Sequence, residues 1–163
     1  MLSLGIDPGT ATIGYGLVRE NRDGSLQAVD FGVITTSPRA PMWERLKTIY
    51  DALTDIIHTH KPDHAGVEEL FFARNVTTAI TVAQGRGVIL LSLANAAVPV
   101  REYKPNTVKQ TVAGYGGAKK PQVQAMVRML LGLDEIPKPD DAADALAIAI
   151  TDINTMQYTS GLQ

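Results

Sequence analysis

Apolar and polar residues recur with two different periods along this chain, and the switches between them mark out ten elements. Leu2 to Ile6 is a short apolar run of the kind buried in a sheet. Thr12 to Arg19 is a second strand rich in glycine and β-branched residues, and Leu26 to Thr35 a third, lying beyond the turn signal NRDG. The short connections predict three consecutive antiparallel strands. After Ser37 to Pro41 the period lengthens. Trp43, Leu46, Ile49, Tyr50, Leu53, Ile56 and Ile57 recur at three and four, predicting a helix over Met42 to His60 that Lys61 and Pro62 end.

His64 to Glu68 reads as a fourth strand, and its approach through the preceding helix predicts a parallel crossover. Asn75 to Asn95 predicts a long helix whose Gly85, Gly87 and alanines permit close backbone approach to another element. Pro99 to Tyr103 predicts the fifth strand, and Asn106 to Val112 a short helix capped by Asn106. Pro121 to Leu131 predicts a helix with proline in its first turn, and Pro139 to about Ile153 an alanine-rich helix that is mostly buried. The expected fold is α/β: one domain over residues 1–155, with a five-stranded mixed sheet of three antiparallel and two parallel strands flanked by helices. Residues 156–163 are expected to form a flexible tail.

Composition narrows the chemistry. A chain of 163 residues is long enough for one domain that buries about 70% of its unfolded surface. The absence of cysteine excludes disulfides, thiolate metal sites, iron–sulfur clusters and a cysteine nucleophile. The opening MLSLGIDPG lacks the basic leader and apolar core of a secretory signal, and Gln84, Arg86 and Asn95 interrupt the greasiest stretch, Ala83 to Val100. A soluble, cytoplasmic protein with no membrane partner is the expectation. The net charge of −2 speaks against a uniformly basic nucleic-acid binder, but its distribution changes that picture. Arg101, Lys104, Lys109, Lys119, Lys120 and Arg128 face one acid, Glu102, within a single segment. Beyond Leu130, six acids face Lys138 alone.

The acids stand where α/β sheets collect ligands. Asp7 follows the first strand and is succeeded at once by the turn formers Pro8 and Gly9, while Glu68 ends the fourth strand. In PDDAADALAIA, Asp144 lies inside an apolar helix, and either Asp140 or Asp141 can share a face with it. The last helix contains no basic residue to pair with them. Converging carboxylates would repel one another and call for divalent cations, with magnesium or manganese better suited than zinc to an all-oxygen set. His58, His60 and His64 lack the spacing of a zinc site and read as surface or hydrogen-bonded packing residues. No G-x-S-x-G elbow is present. Paired metals on carboxylates serve phosphodiester cleavage, and the preceding basic segment supplies the charge to hold a polyanion nearby.

The segments GIDPGTATIGYG, VEELFFARN, QGRGV, VKQTVAGYG, QVQAMV and DDAADALAIAI, in this order, resemble the bacterial Holliday junction resolvase family of ribonuclease-H-like fold, along nearly the whole chain. The resemblance implies a crossover junction endodeoxyribonuclease acting in homologous recombination and repair. Its catalytic, metal-binding carboxylates would be Asp7, Glu68, Asp141 and Asp144, with Lys120 assisting through phosphate charge or water positioning. It implies Mg2+, two ions per site, with Mn2+ as a substitute. It further implies DNA contacts from Phe71, Lys109 and Lys120, with Phe71 stacking on an unpaired base, and Arg74 and Lys119 are expected to add to the DNA-binding field beside them. The implied assembly is a homodimer on four-way junction DNA making paired symmetric cuts. Its implied partners are a junction-recognition protein and a hexameric branch-migration motor. The family register favours Asp141 over Asp140. Pro121 follows Lys120 where relatives carry serine or threonine, which leaves the placement of Lys120 to the structure. The first hairpin also resembles the phosphate hairpin of actin-like and sugar-kinase-like proteins, but no second such hairpin follows to close a site around a nucleotide.

Overall fold

A computed structural model describes residues 1–69 and 76–160. The element order is β1 (Leu2–Asp7), β2 (Thr12–Glu20), β3 (Leu26–Thr35), α1 (Met42–His60), β4 (His64–Glu68), α2 (Val76–Asn95), β5 (Val100–Tyr103), α3 (Pro105–Ala113), α4 (Lys120–Leu130) and α5 (Asp140–Ser160). The sheet runs β3-β2-β1-β4-β5, with the first three strands antiparallel and β1, β4 and β5 parallel. It is the expected mixed sheet of a ribonuclease-H-like fold.

The period-two pattern of the strands decides which helices cover which face. Leu2, Leu4 and Ile6 of β1 and Ala65 and Val67 of β4 point to one side, where Ile49, Leu53 and Ile57 of α1 and Ile89 and Leu93 of α2 bury them. Burying a side chain of this size contributes roughly 1.5–3 kcal/mol, so this layer is a main support of the sheet. The opposite face carries a second core, built from Val108 and Val112 of α3, Val123 and Val127 of α4, and Leu146, Ile148, Ile150 and Ile153 of α5.

Helix α5 lies directly on this second face because glycines there leave no side chain between helix and strand. A Cβ on Gly5 would stand 2.0 Å from the Ala145 carbonyl oxygen, and one on Gly14 would stand 1.9 Å from that of Asp141. Since Gly14 is the register partner of Asp7, the amino end of α5 is held against the carboxyl end of β1.

Several boundaries differ from the sequence reading. Helix α3 starts at Pro105 with Lys104 in the capping position and no side-chain cap, so Asn106 lies inside the helix. Proline fits this first turn because the missing N–H has no intrahelical partner there. Helix α4 begins one residue earlier than expected, placing Lys120 ahead of Pro121 in its first turn. Helix α5 runs on to Ser160, so residues 156–160 are helical rather than part of a loose tail. Here Thr155 donates to the Thr151 carbonyl at 2.8 Å, and Gln157 reaches Glu20 on β2.

Candidate active site

Three elements bring the acidic side chains together. β1 ends on Asp7, its parallel neighbour β4 ends on Glu68 one residue beyond the Ile6–Val67 register pair, and α5 carries Asp141 and Asp144 in its first turns. Their electrostatic influence on one another records the convergence. Burial, followed by the charges of Glu68, Asp144 and Asp141, pushes the Asp7 carboxyl up to about 8, with only Lys120 working in the other direction. Glu68 is also raised, by burial and then Asp144, with Lys109 and Lys120 opposing. Asp144 is raised by burial, against the hydrogen bond and charge of Lys120.

The turn that follows Asp7 is braced from behind. Thr36 donates its hydroxyl to the Thr10 carbonyl, and Arg45 of α1 donates from Nε to Thr36 Oγ1 at 2.9 Å. On the other side α2 approaches so closely that a Cβ on Gly85 would stand 2.7 Å from the Gly9 carbonyl oxygen.

Lys120 reaches into the acidic group from the start of α4. Its Nζ lies 2.8 Å from Asp144 Oδ2 and 3.5 Å from Asp140 Oδ2. Burial acts to lower its pKa, but the hydrogen bond to Asp144 and the two carboxylate charges outweigh that, so the net direction is upward and the amine is a cation. Gln122 fixes the helix start by accepting from the Lys119 N–H and from the Tyr115 hydroxyl, each at 2.8 Å. The cation missing from the last helix is thus supplied by α4, with Pro121 no obstacle to it.

Asp140 and Asp141 have different surroundings. Asp140 turns toward α4, where Gln124 Nε2 donates to it at 3.0 Å, whereas Asp141 is among the charges acting on Asp7. Beside Glu68 and Asp144 opens a cavity of about 470 Å³ lined by Lys109, Lys119 and Lys120 over Val108, Ala118 and Val123. Acids and bases of the two oppositely charged segments therefore meet at one rim. Phe71 and Arg74 lie outside the described residues.

The side chains do not, as they stand, close around a point: among the described residues no three Asp, Glu or His groups form a metal-holding cluster. The donor set nevertheless fits a hard dication. It consists of carboxylate oxygens on three rigid elements, where burial and then the neighbouring carboxylate charges push the Asp7 carboxyl up to about 8.

Polar residues outside this cluster escaped the sequence reading. Asp152 of α5 is fully buried and accepts from Ser3, His64 and Tyr103. His64 is the hydrogen-bonded packing residue expected, but nothing local in the sequence named its partner.

A ribonuclease-H-like sheet with carboxylates at two adjacent strand ends and on a covering helix defines a nuclease class. Within it, this chain belongs to the RuvC family of crossover junction endodeoxyribonucleases, since the model for "Crossover junction endodeoxyribonuclease RuvC" matches residues 3–152. A protein of that description from Chloroflexus aurantiacus is 61% identical over 150 residues, covering 92% of this chain and 91% of its own. Two solved structures from Thermus thermophilus are also similar. One is RuvC in complex with a Holliday junction substrate, with TM-score 0.89 and 36% identity, covering 97% of this chain and 96% of the other. The other is RuvC alone, with TM-score 0.91 and 38% identity, covering 98% and 97%.

Proposed function

We propose that Asp7, Glu68, Asp141 and Asp144 hold two divalent cations, Mg2+ or in its place Mn2+, against a DNA phosphodiester of a four-way junction. The chain is a Holliday junction resolvase by family, and this reading assigns its chemistry to residues. The observation that carries it is geometric: β1 and β4 end side by side on Asp7 and Glu68 with the amino end of α5 packed against them, where burial and then the charges of Glu68, Asp144 and Asp141 raise the Asp7 carboxyl. Bound there, the cations would supply water activation and stabilisation of the leaving oxygen.

The protein's own groups do the rest. The rigid strand ends of β1 and β4 hold two donors in fixed register, and α5 brings two more across the gap. Lys120, a cation tethered to Asp144, offers charge to a non-bridging phosphate oxygen as negative charge builds there. This favours phosphate stabilisation over proton abstraction as its role. Lys109 and Lys119 hold the flanking backbone at the cavity rim, and Phe71 and Arg74 remain part of the proposed DNA contacts. Water adds to phosphorus as the bond to the 3′ oxygen breaks and that oxygen takes up a proton, leaving a 5′-phosphate and a 3′-hydroxyl.

A junction presents two equivalent strands, so a twofold dimer can address both with identical sites. Helix α2 offers an uncharged outer face for that seam: Ile80 and Leu91 are more than half exposed, and a Cβ on Gly87 would meet nothing within 4 Å. Gly85 faces inward against Gly9, so of the two glycines in this helix only Gly87 lies on the face proposed for the seam. Sedimentation should give twice the chain mass; a monomer that cuts both strands in concert would refute the seam. A junction-recognition protein and a hexameric branch-migration motor complete the assembly in the cytoplasm. No helix among the described residues is long and apolar enough to cross a membrane.

The test is a synthetic four-way junction incubated with and without Mg2+, beside Asp7→Asn. Paired symmetric cuts should require both the metal and Asp7, while the variant still binds the junction. Cutting by Asp7→Asn at the wild-type rate would overturn the assignment.

A further inference from the structure

The same three elements that carry the four carboxylates meet a second time, at their other ends. On β1 the residues facing α5 are Ser3, Gly5 and Asp7; on β4 they are His64, Gly66 and Glu68. Each strand thus reads polar, glycine, carboxylate on one face, and Ser3 pairs with His64 and Gly5 with Gly66 in the parallel register. Helix α5 runs antiparallel above them and repeats the order at every fourth residue, Asp144, Ile148, Asp152. The glycine row is filled by the helix itself, with Ile148 Cγ2 3.0 Å from a Cβ built on Gly66.

The two periods match. Four strand residues span about 13 Å, and eight helix residues about 12 Å. Asp152 therefore falls over Ser3 and His64 when Asp144 falls over Asp7 and Glu68. Its Oδ2 accepts from Ser3 Oγ at 2.7 Å and lies 2.5 Å from His64 Nδ1, its Oδ1 accepts from the Tyr103 hydroxyl at 2.8 Å, and Arg101 NH1 stands 3.7 Å away. Asp152 has no exposed surface and His64 only 4%. A buried carboxylate with this many partners tolerates little sliding, because each bond lost leaves a buried polar group unpaired.

We infer that Asp152 is a positioning residue for the reaction: by locking α5 to β1 and β4 at one end, it sets the spacing of Asp7, Glu68, Asp141 and Asp144 at the other. The inference rests on the reading of those four as the incision site. The second core already holds α5 to the sheet, so what Asp152 adds is register along the helix axis rather than attachment. A shift of about 1 Å in a reacting geometry costs about 10²-fold in rate.

The test compares Asp152→Asn with Leu53→Ala, a core truncation on the opposite sheet face. Measured for each are thermal stability, junction affinity in EDTA, single-turnover incision in Mg2+ at a temperature where all proteins are folded, and the rise in Tm that Mn2+ produces without DNA. Asp152→Asn should lose about 10-fold or more in incision rate, with affinity unchanged and a smaller Mn2+ shift. Leu53→Ala should lose stability to a similar degree yet keep both the rate and the Mn2+ shift. A wild-type rate and shift in folded Asp152→Asn, or equal losses in Leu53→Ala, would overturn the inference. If Asp152→Asn does not fold, Ser3→Ala removes one bond from the same carboxylate. It should then show a smaller loss of both readouts, and wild-type values would count against the inference. A wild-type protein without Mg2+-dependent incision would instead bring down the site assignment, and this inference with it.

Discussion

Asp7 provides the sharpest prediction, because here the ionised form of a proposed metal ligand works against the fold that presents it. Its carboxyl rises from an ordinary value of 3.8 to about 8 in the folded protein. Below the unfolded pKa both states are protonated and full stability is present; stability is then lost as pH rises toward the folded pKa. A rise of about four units corresponds to about 6 kcal/mol at 1.36 kcal/mol per unit, an upper bound. Relaxation of the neighbouring carboxylates and Lys120 reduces it, and about 2–3 kcal/mol is expected to survive. Asp7→Asn keeps the shape and removes the charge. In EDTA it should therefore melt about 5–10 °C above wild type at pH 9, at about 2–4 °C per kcal/mol for a chain of this size. The difference should fall to about 1 kcal/mol near pH 4.5, approach zero only below the ordinary value of 3.8, and level off above about pH 8. Mg2+ should narrow it by stabilising wild type more than the variant. Melting curves at half-unit pH steps provide the measurement. An Asp7→Asn protein no more stable than wild type at pH 9, or equally stabilised at pH 4.5, would refute the reasoning.

Three further outcomes follow from the same geometry. Gly14→Ala would place a methyl 1.9 Å from the Asp141 carbonyl oxygen, so it should cost about 1–3 kcal/mol by overpacking and about 10²-fold in incision by displacing α5; melting and single-turnover cleavage check both. Lys120→Met should lower incision by about 10²-fold or more with a much smaller loss in junction binding, read by cleavage and gel shift. For Asp152, burial acts to raise the pKa, but the bonds from His64, Ser3 and Tyr103 prevail and the net direction is down. Its stabilisation is therefore present above the unfolded pKa and lost as pH falls through the lower folded value. Asp152→Asn should cost about 3–5 kcal/mol at pH 7 and flatten the acid limb of the stability curve below about pH 4.

The parts of this fold legible in the sequence are those governed by local periodicity. The apolar run from Leu2 to Ile6 marks a strand buried on both sides, and the three-four spacing ending at Ile49, Leu53 and Ile57 marks one buried helix face; both gave the right element, though Trp43 at the head of that spacing is exposed. Asp144 stood out because a charge inside an alanine-rich helix has no cheap local explanation, whereas Asp7, Glu68 and Asp141 each have an ordinary one, in a turn, at a strand end or in a helix's first turn, and were singled out by their places at the sheet and by family register. Asp152 looks like one more acid in a polar helix end. Its partners Ser3, His64 and Tyr103 lie 149, 88 and 49 residues away in sequence, and no periodicity reports a bond across that separation. The end of α5 was missed for a related reason: Asn154, Thr155 and Gln157 break the apolar stripe, yet Thr155 bonds back to Thr151 and Gln157 to Glu20. The preference for Asp141 came from family register alone; what packing adds is that Gln124 of α4 bonds Asp140.

The central claim is that carboxylates from β1, β4 and α5 jointly hold the ions that serve strand incision. Crystals grown with Mn2+ and a four-way junction test it most directly through the anomalous scattering of manganese. The account predicts peaks ligated by Asp7, Glu68, Asp141 and Asp144 beside a phosphodiester of the junction, with Lys120 close to that phosphate. Manganese bound elsewhere on the protein, with these four side chains turned away from one another and from the DNA, would contradict it.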